Sequence, residues 1–97
     1  ARGVFNEGHI EGAKAKLALN PALGEMVQKT GGARKLRQRG IGGQSRLIYY
    51  FHMGDSEIYL LTCYPKNRKS DLTEGEKAEL RKTIEAIKEA NIEYYDM

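Results

Sequence analysis

The sequence has little cysteine and no long apolar run. Its only cysteine, Cys63, excludes a disulfide within the chain and a cysteine-rich zinc site. No segment approaches the roughly 18 consecutive apolar residues that a transmembrane helix needs, and no secretory signal peptide is visible. Histidine, aspartate and glutamate do not cluster at the spacing of metal ligands. We therefore expect a cytoplasmic protein that acts away from membranes and uses neither a metal ion nor another cofactor.

What the sequence does contain fits one small domain spanning residues 1–97. Its 97 residues are 40% apolar and 30% charged, a composition typical of a globular chain rather than a disordered one. A chain of this length can build one hydrophobic core with few residues to spare. No internal repeat or linker divides the sequence further.

The net charge of +3 conceals a strong asymmetry along the chain. Between Met26 and Gly54 there are six basic residues and no acidic one, whereas Asp71 to Met97 contains eight acidic residues and four basic ones. Such a distribution favours a polyanionic partner, whose binding would depend strongly on salt. An ordinary solvated surface is the alternative, and charge alone leaves both interpretations open.

Local patterns predict helices first and strands next. A short helix over residues 1–7 is expected to end at Gly8, and a second helix over 11–20 is expected to stop at Pro21. Extended residues follow around Met26 and Val27. Alternating and apolar runs then predict three strands, paired antiparallel in chain order, over 33–39, 45–52 and 57–64.

The chain then returns to a helical pattern. Thr73 and Glu76 have the spacing of a capping box, which predicts a last helix from Thr73 with an apolar stripe. Asn91 is the expected end of that helix. The predicted class is therefore α+β, with a small antiparallel sheet flanked by N-terminal helices and a C-terminal helix.

Four short motifs occur in a fixed order: NP-x-LG, TGG-x-RK-x-R, GG-x-SR-x-IYY and YLLT-x-Y-x-KN-x-x-x-DLT. With them the chain resembles, over roughly Leu17 to Lys88, the HigB side of the RelE/ParE superfamily, the toxins of type II toxin–antitoxin systems. The resemblance implies an mRNA interferase, a ribosome-dependent endoribonuclease that inhibits translation. It also implies the partners of such a toxin, namely the ribosome with its mRNA and a cognate antitoxin that is HigA-like and binds DNA.

The chain departs from the family pattern in two places. Family members usually begin with a strand ahead of the first helix, and nothing before Ala1 supplies one, so we expect the sheet of this RelE-like fold to lack its first strand. The loop from Arg37 to Arg46 is shorter than in HigB-like members and lacks their extra lysines before the glycine pair. The second departure predicts a weaker grip on RNA.

Metal-free cleavage of RNA requires that the 2′-hydroxyl lose a proton, that the phosphorane be stabilised and that the leaving 5′-oxygen be protonated. Arg46 matches the arginine of GG-x-SR, and the resemblance implies that it binds the scissile phosphate. Lys35 and Arg37 share one face of a predicted strand and match RK-x-R, where they would orient the RNA backbone or transfer a proton. Tyr64 matches Y-x-KN and would stack on a base or transfer a proton. The expected RNA-binding residues around them are Arg34, Arg39, Lys66, Arg68 and Lys69.

Each predicted site residue also has an ordinary structural interpretation. Arg46 would pair with a carboxylate at the end of a strand. Lys35 and Arg37 would form a solvated cationic edge that discourages aggregation. Tyr64 would keep its ring in the core and its hydroxyl in water. The histidines and Cys63 match no motif position and are expected to be structural.

At the level of function two alternatives stay open beside the nuclease. The first is an interaction module of the RelE/ParE fold that acts on DNA gyrase without RNA chemistry. The second is an RNA- or ribosome-binding domain without cleavage, which the shortened loop favours.

Overall fold

The computed structural model describes residues 7–40, 43–54, 56–69 and 71–96. These residues form one four-stranded antiparallel sheet with one helix near the N-terminus and one C-terminal helix, which confirms the predicted α+β class. Among them, no helix is both long and apolar enough to cross a membrane. The elements in chain order are α1 (Glu7–Leu19), β1 (Glu25–Met26), β2 (Arg34–Gly40), β3 (Gly43–His52), β4 (Glu57–Pro65) and α2 (Glu74–Asp96).

The strands lie in the sheet in chain order, β1-β2-β3-β4, and every neighbouring pair is antiparallel. This confirms the predicted pairing of the three long strands. Ile48 pairs with Thr62 but Tyr49 pairs with Leu60, so β4 carries one extra residue, a β-bulge, at this point. A bulge shifts the alternation of side chains along its strand. It therefore lets Tyr59 and Tyr64 of β4 pack on the same face although they are an odd number of residues apart.

Both faces of the sheet are covered, which explains why β3 and β4 are apolar on both sides. Side chains of α1 pack on one face, and side chains of α2 pack on the other. The cluster on the α1 face comprises Ala13, Leu17, Leu36, Leu47, Tyr49 and Cys63. The cluster on the α2 face comprises Val27, Ala33, Ile48, Tyr50, Tyr64, Leu72, Leu80 and Ile84.

Two predicted helix ends are wrong. Helix α1 begins at Glu7 and continues through Gly8, because burial of its later residues against the sheet outweighs the roughly 1 kcal/mol that an internal glycine costs. The other predicted helix, over residues 1–7, lies almost entirely outside the described residues. Helix α2 continues past Asn91 to Asp96, since neither glycine nor proline follows Asn91 to end it.

The predicted start of α2 is confirmed by its capping box. The backbone N–H of Thr73 donates to Oε1 of Glu76 at 2.9 Å, and the backbone N–H of Glu76 donates to Oγ1 of Thr73 at 3.1 Å. These two bonds satisfy backbone groups that have no partner within the helix.

The NP-x-LG motif forms a turn that is bound to the sheet from the α1 face. The hydroxyl of Tyr49 donates to the carbonyl of Pro21 at 2.6 Å and accepts from the N–H of Gly24 at 2.9 Å. Nη1 of Arg34 donates to the carbonyl of Gly24 at 2.7 Å. The motif therefore serves the fold, because it fixes the segment between α1 and β1.

Gly24 leaves no room for a side chain in this turn. A Cβ at this position would lie 2.8 Å from Cε1 of Tyr49 and 2.9 Å from the backbone oxygen of Lys35. We expect Gly24→Ala to lower the free energy of unfolding by about 1–3 kcal/mol. The control is Gly12→Ala in α1, where no atom lies within 4 Å of the new Cβ, and a gain of about 0.5–1 kcal/mol is expected. Urea unfolding measures the free energy of unfolding of both variants. Equal changes in the two variants would show that the backbone at Gly24 does not lie too close to Tyr49 and Lys35 for a side chain.

Candidate active site

Three predicted site residues lie side by side across the sheet. Arg37 of β2 is paired with Arg46 of β3, and Arg46 is in turn paired with Tyr64 of β4. Directly opposite residues in antiparallel strands point to the same face, with Cβ atoms about 4.5–5.5 Å apart. Tyr64 belongs to the cluster under α2, so the row formed by Arg37, Arg46 and Tyr64 lies on the α2 face.

Lys35 lies on the same face, two residues before Arg37 on β2, so the structure brings all four predicted catalytic residues to one face of the sheet. Its Nζ is 3.5 Å from Oδ1 of Asp71, and its side chain is mostly buried. Arg39 lies two residues beyond Arg37 on this face and is exposed. The prediction that Lys35 and Arg37 share one face of their strand is therefore confirmed.

Arg46 is the most unusual residue of the row, because it is a buried charge. Only 6% of the residue is exposed, and its Nη1 donates to the carbonyl of its neighbour Ser45 at 3.2 Å. No carboxylate of the described residues forms an ion pair with it, so the structural interpretation of Arg46 as an ion-pair partner finds no support there. A buried charge without an opposite charge costs several kcal/mol, and a bound anion would remove that cost.

Tyr64 lies beside Arg46 and is also buried, with 5% of the residue exposed. Its hydroxyl has no hydrogen-bond partner in the part of the chain that the structure describes. Burial raises the pKa of Tyr64, and the charge of Asp71 adds to this effect, while Arg46 opposes it and Glu76 adds to it again. Tyr64 is therefore a neutral phenol at physiological pH, with a proton to donate.

The position of Tyr64 decides between its predicted roles. The hydroxyl is not in water, which excludes that structural interpretation. The ring is buried, and Nζ of Lys69 lies 4.8 Å from its centroid, so no open ring face is left for a base to stack on. Of the two functional roles predicted for Tyr64, proton transfer fits this geometry and stacking on a base does not.

Two carboxylates at the α2 end of the site were not predicted. Asp71 forms the ion pair with Lys35, and Glu76 accepts a hydrogen bond from Lys69. The pKa of Asp71 is lowered, chiefly by a hydrogen bond from the N–H of Leu72. The pKa of Glu76 is lowered, chiefly by its hydrogen bond from Lys69. Both groups are therefore ionised at neutral pH. The capping-box spacing pointed to Glu76, but only as a helix cap.

The other predicted RNA-binding residues divide into two groups. Lys66 and Arg68 lie in the exposed turn after β4. Their side chains form no ion pair with described residues, and the same is true of the exposed Arg37 and Arg39. Arg34 differs from all of them, because it is paired with Tyr49 on the α1 face and holds the turn at Gly24. The structure thus separates Arg34 from the cationic face, and its alternation on β2 could have indicated this.

The remaining candidates for chemistry are engaged elsewhere. Nδ1 of His52 lies 3.0 Å from the hydroxyl of Tyr50, so this histidine belongs to the hairpin end of the sheet. Cys63 is buried on the α1 face, and its pKa is raised by burial, which makes it a poor nucleophile. Among the described residues, no three His, Cys, Asp or Glu side chains could hold a metal ion together.

No protein-family model matches this chain. The resemblance to the RelE/HigB toxins therefore rests on the four motifs and their order. The structure shows what those motifs place together: GG-x-SR, RK-x-R and Y-x-KN each contribute a residue to one row, whereas NP-x-LG builds the turn on the other face.

Proposed function

We propose that this protein is a RelE/HigB-like toxin of a type II toxin–antitoxin system, a cytoplasmic ribosome-dependent endoribonuclease that cleaves mRNA without a metal ion. The observation that carries the proposal is the adjacent pair of Arg46 and Tyr64. A buried guanidinium without an ion-pair partner and a buried phenol hydroxyl without a hydrogen-bond partner, both judged among the described residues, suit a site that is completed by a phosphate.

The reaction assigns a role to each residue of the row. The 2′-hydroxyl of the RNA gives its proton to solvent and attacks the phosphorus, and the bond from phosphorus to the 5′-oxygen breaks. Arg46 binds the non-bridging oxygens as negative charge accumulates on them, and Arg37 reaches the same phosphate from the exposed side. Tyr64, as a neutral phenol, donates its proton toward the leaving 5′-oxygen. Lys35 orients the RNA backbone next to the scissile phosphate.

The exposed cations around the row would bind the rest of the RNA. Arg39, Lys66 and Arg68 surround the row with positive charge that has no described ion-pair partner, which suits sequence-independent contacts with phosphates. Lys69 contributes a further positive charge at the Tyr64 end. A cognate antitoxin, HigA-like and DNA-binding, would inhibit the toxin by covering this face or by blocking its entry into the ribosome.

The proposal is tested by mRNA cleavage in a purified translation system, with ribosomes and without them. We expect cuts that appear only when ribosomes are present, mapped by primer extension, and a cleavage rate that falls steeply as salt is raised. Ribosome binding without cuts would replace the proposal by the non-cleaving RNA-binding domain. If translation continues and no mRNA is cut or bound, the nuclease proposal fails, and inhibition of DNA gyrase becomes the function to assay.

A further inference from the structure

We infer that Asp71 and Glu76 are positioning residues of the proposed active site: Asp71 holds Lys35 in place, and Glu76 holds Lys69 against the ring of Tyr64. The inference rests on the proposed function and adds two residues to its site. Neither carboxylate would touch the RNA. Each would act through the cation that it binds.

Glu76 carries two separate tasks on its two oxygens. Oε1 accepts the backbone N–H of Thr73 at 2.9 Å, which fixes the carboxylate at the start of α2. Oε2 accepts a hydrogen bond from Nζ of Lys69. The same Nζ lies 4.8 Å from the centroid of the Tyr64 ring, within the range of a cation–π contact. Glu76, which caps α2, therefore fixes Lys69 over the ring of Tyr64, the proposed proton donor.

Asp71 is fixed in a similar way at the other cation. Its Oδ1 accepts the N–H of Leu72 at 2.8 Å, so the carboxylate is held by the backbone next to it. The same oxygen is 3.5 Å from Nζ of Lys35, whose side chain shares the face of the row. The segment between β4 and α2 thus contacts the site at two points, one on β2 and one on β4.

The lysines of these two pairs are more buried than the cation of the exposed Arg81–Glu85 pair, while the carboxylates of Asp71 and Glu76 are themselves partly exposed. Exposed ion pairs contribute little, and on α2 the side chains of Arg81 and Glu85 are 63% and 60% exposed. The side chains of Lys35 and Lys69 are only 20% and 34% exposed. A cation that is mostly withdrawn from water and bound to a fixed carboxylate has few orientations, which is the property that a catalytic site needs from its charges.

A purely neutralising role for the two carboxylates makes a different prediction from a positioning role. If Asp71 and Glu76 only neutralised Lys35 and Lys69, they would compete with RNA phosphates for these cations. Their removal would then tighten RNA binding and leave the rate of cleavage unchanged or higher. Positioning predicts instead a slower chemical step with nearly unchanged binding.

The test compares Asp71→Asn, Glu76→Gln and the double variant with wild type, using Glu85→Gln as the matched control. The amide variants keep the oxygens that accept the N–H groups of Leu72 and Thr73, so α2 should begin as before, and thermal unfolding checks this. Single-turnover cleavage on ribosomes is measured as a function of toxin concentration. We expect the maximal rate to fall about 10-fold or more for each site variant and the half-saturating concentration to stay within about 2-fold. Tighter binding with an undiminished rate would overturn the inference.

A second readout does not need cleavage. Nζ of Lys69 lies over the ring of Tyr64, so the NMR signals of the adjacent ε-methylene protons should be shifted upfield in wild type. We expect Glu76→Gln to abolish this shift and Glu85→Gln to keep it. A shift that persists in Glu76→Gln would show that Glu76 does not position Lys69. Absence of cleavage by wild type would overturn the proposed function, whereas the NMR result would still show on its own whether Glu76 positions Lys69.

Discussion

Replacement of Arg46 by methionine is expected to slow mRNA cleavage strongly while leaving the protein at least as stable as wild type. Arg46 is 6% exposed and forms no ion pair with a described residue, so methionine removes a buried charge and keeps an unbranched apolar stem. We expect the cleavage rate to fall by about 100-fold to 1000-fold, the usual loss when a group that stabilises developing charge is removed. The free energy of unfolding should stay the same or rise by about 1 kcal/mol or more.

The matched control is Arg34→Met, on the neighbouring strand but on the other face. Arg34 donates hydrogen bonds to the carbonyls of Gly24 and Ala22, so its loss should lower the free energy of unfolding by about 1.5–3 kcal/mol. Its cleavage rate, measured below the unfolding transition, should match wild type. Arg46→Met should therefore slow cleavage without lowering stability, whereas Arg34→Met should lower stability without slowing cleavage. If Arg46→Met instead destabilised the protein as much as Arg34→Met does, Arg46 would be a structural residue and the proposed site would lose its phosphate ligand.

Much of the fold follows from short patterns, and its exceptions have identifiable causes. The sequences of β3 and β4 are apolar on both faces because side chains of α1 pack on one face and side chains of α2 pack on the other. The capping box marked the start of α2 because two backbone groups need it. The bulge opposite Ile48 and Tyr49 has no such local signal in the sequence. The predicted helix end at Gly8 is wrong because packing of α1 against the sheet outweighs the low helix propensity of glycine.

The site was predictable only in part, for a related reason. Alternation on β2 separates Arg37 from Arg34, and motif positions pointed to Arg46 and Tyr64. Burial of Arg46 and Tyr64 is not visible in their own segments. Tyr64 is covered in part by Lys69, a residue that the sequence marks only as one more surface cation. The roles of a buried phenol and a fixed ammonium thus arise from tertiary contacts.

Tyr64→Phe is expected to slow cleavage by about 100-fold or more without lowering stability. The hydroxyl of Tyr64 is buried and has no partner among the described residues, so its removal breaks no hydrogen bond there and relieves an unsatisfied group. The loss of rate follows from the proton-donor role proposed for Tyr64, since general acid catalysis contributes about 100-fold to 10,000-fold. Single-turnover cleavage and urea unfolding, measured on the same preparation, give the two quantities.

Tyr49→Phe is the matched control, because both tyrosines are buried and lie on opposite faces of the sheet. The hydroxyl of Tyr49 has two partners, the carbonyl of Pro21 and the N–H of Gly24, and its removal should cost about 1–3 kcal/mol of stability with the rate of cleavage unchanged. A rate for Tyr64→Phe close to wild type would remove the phenol from the mechanism. If Arg46→Met were inactive in the same experiments, phosphate binding would still belong to this site, and the proton for the 5′-oxygen would have to come from the ribosome or from solvent.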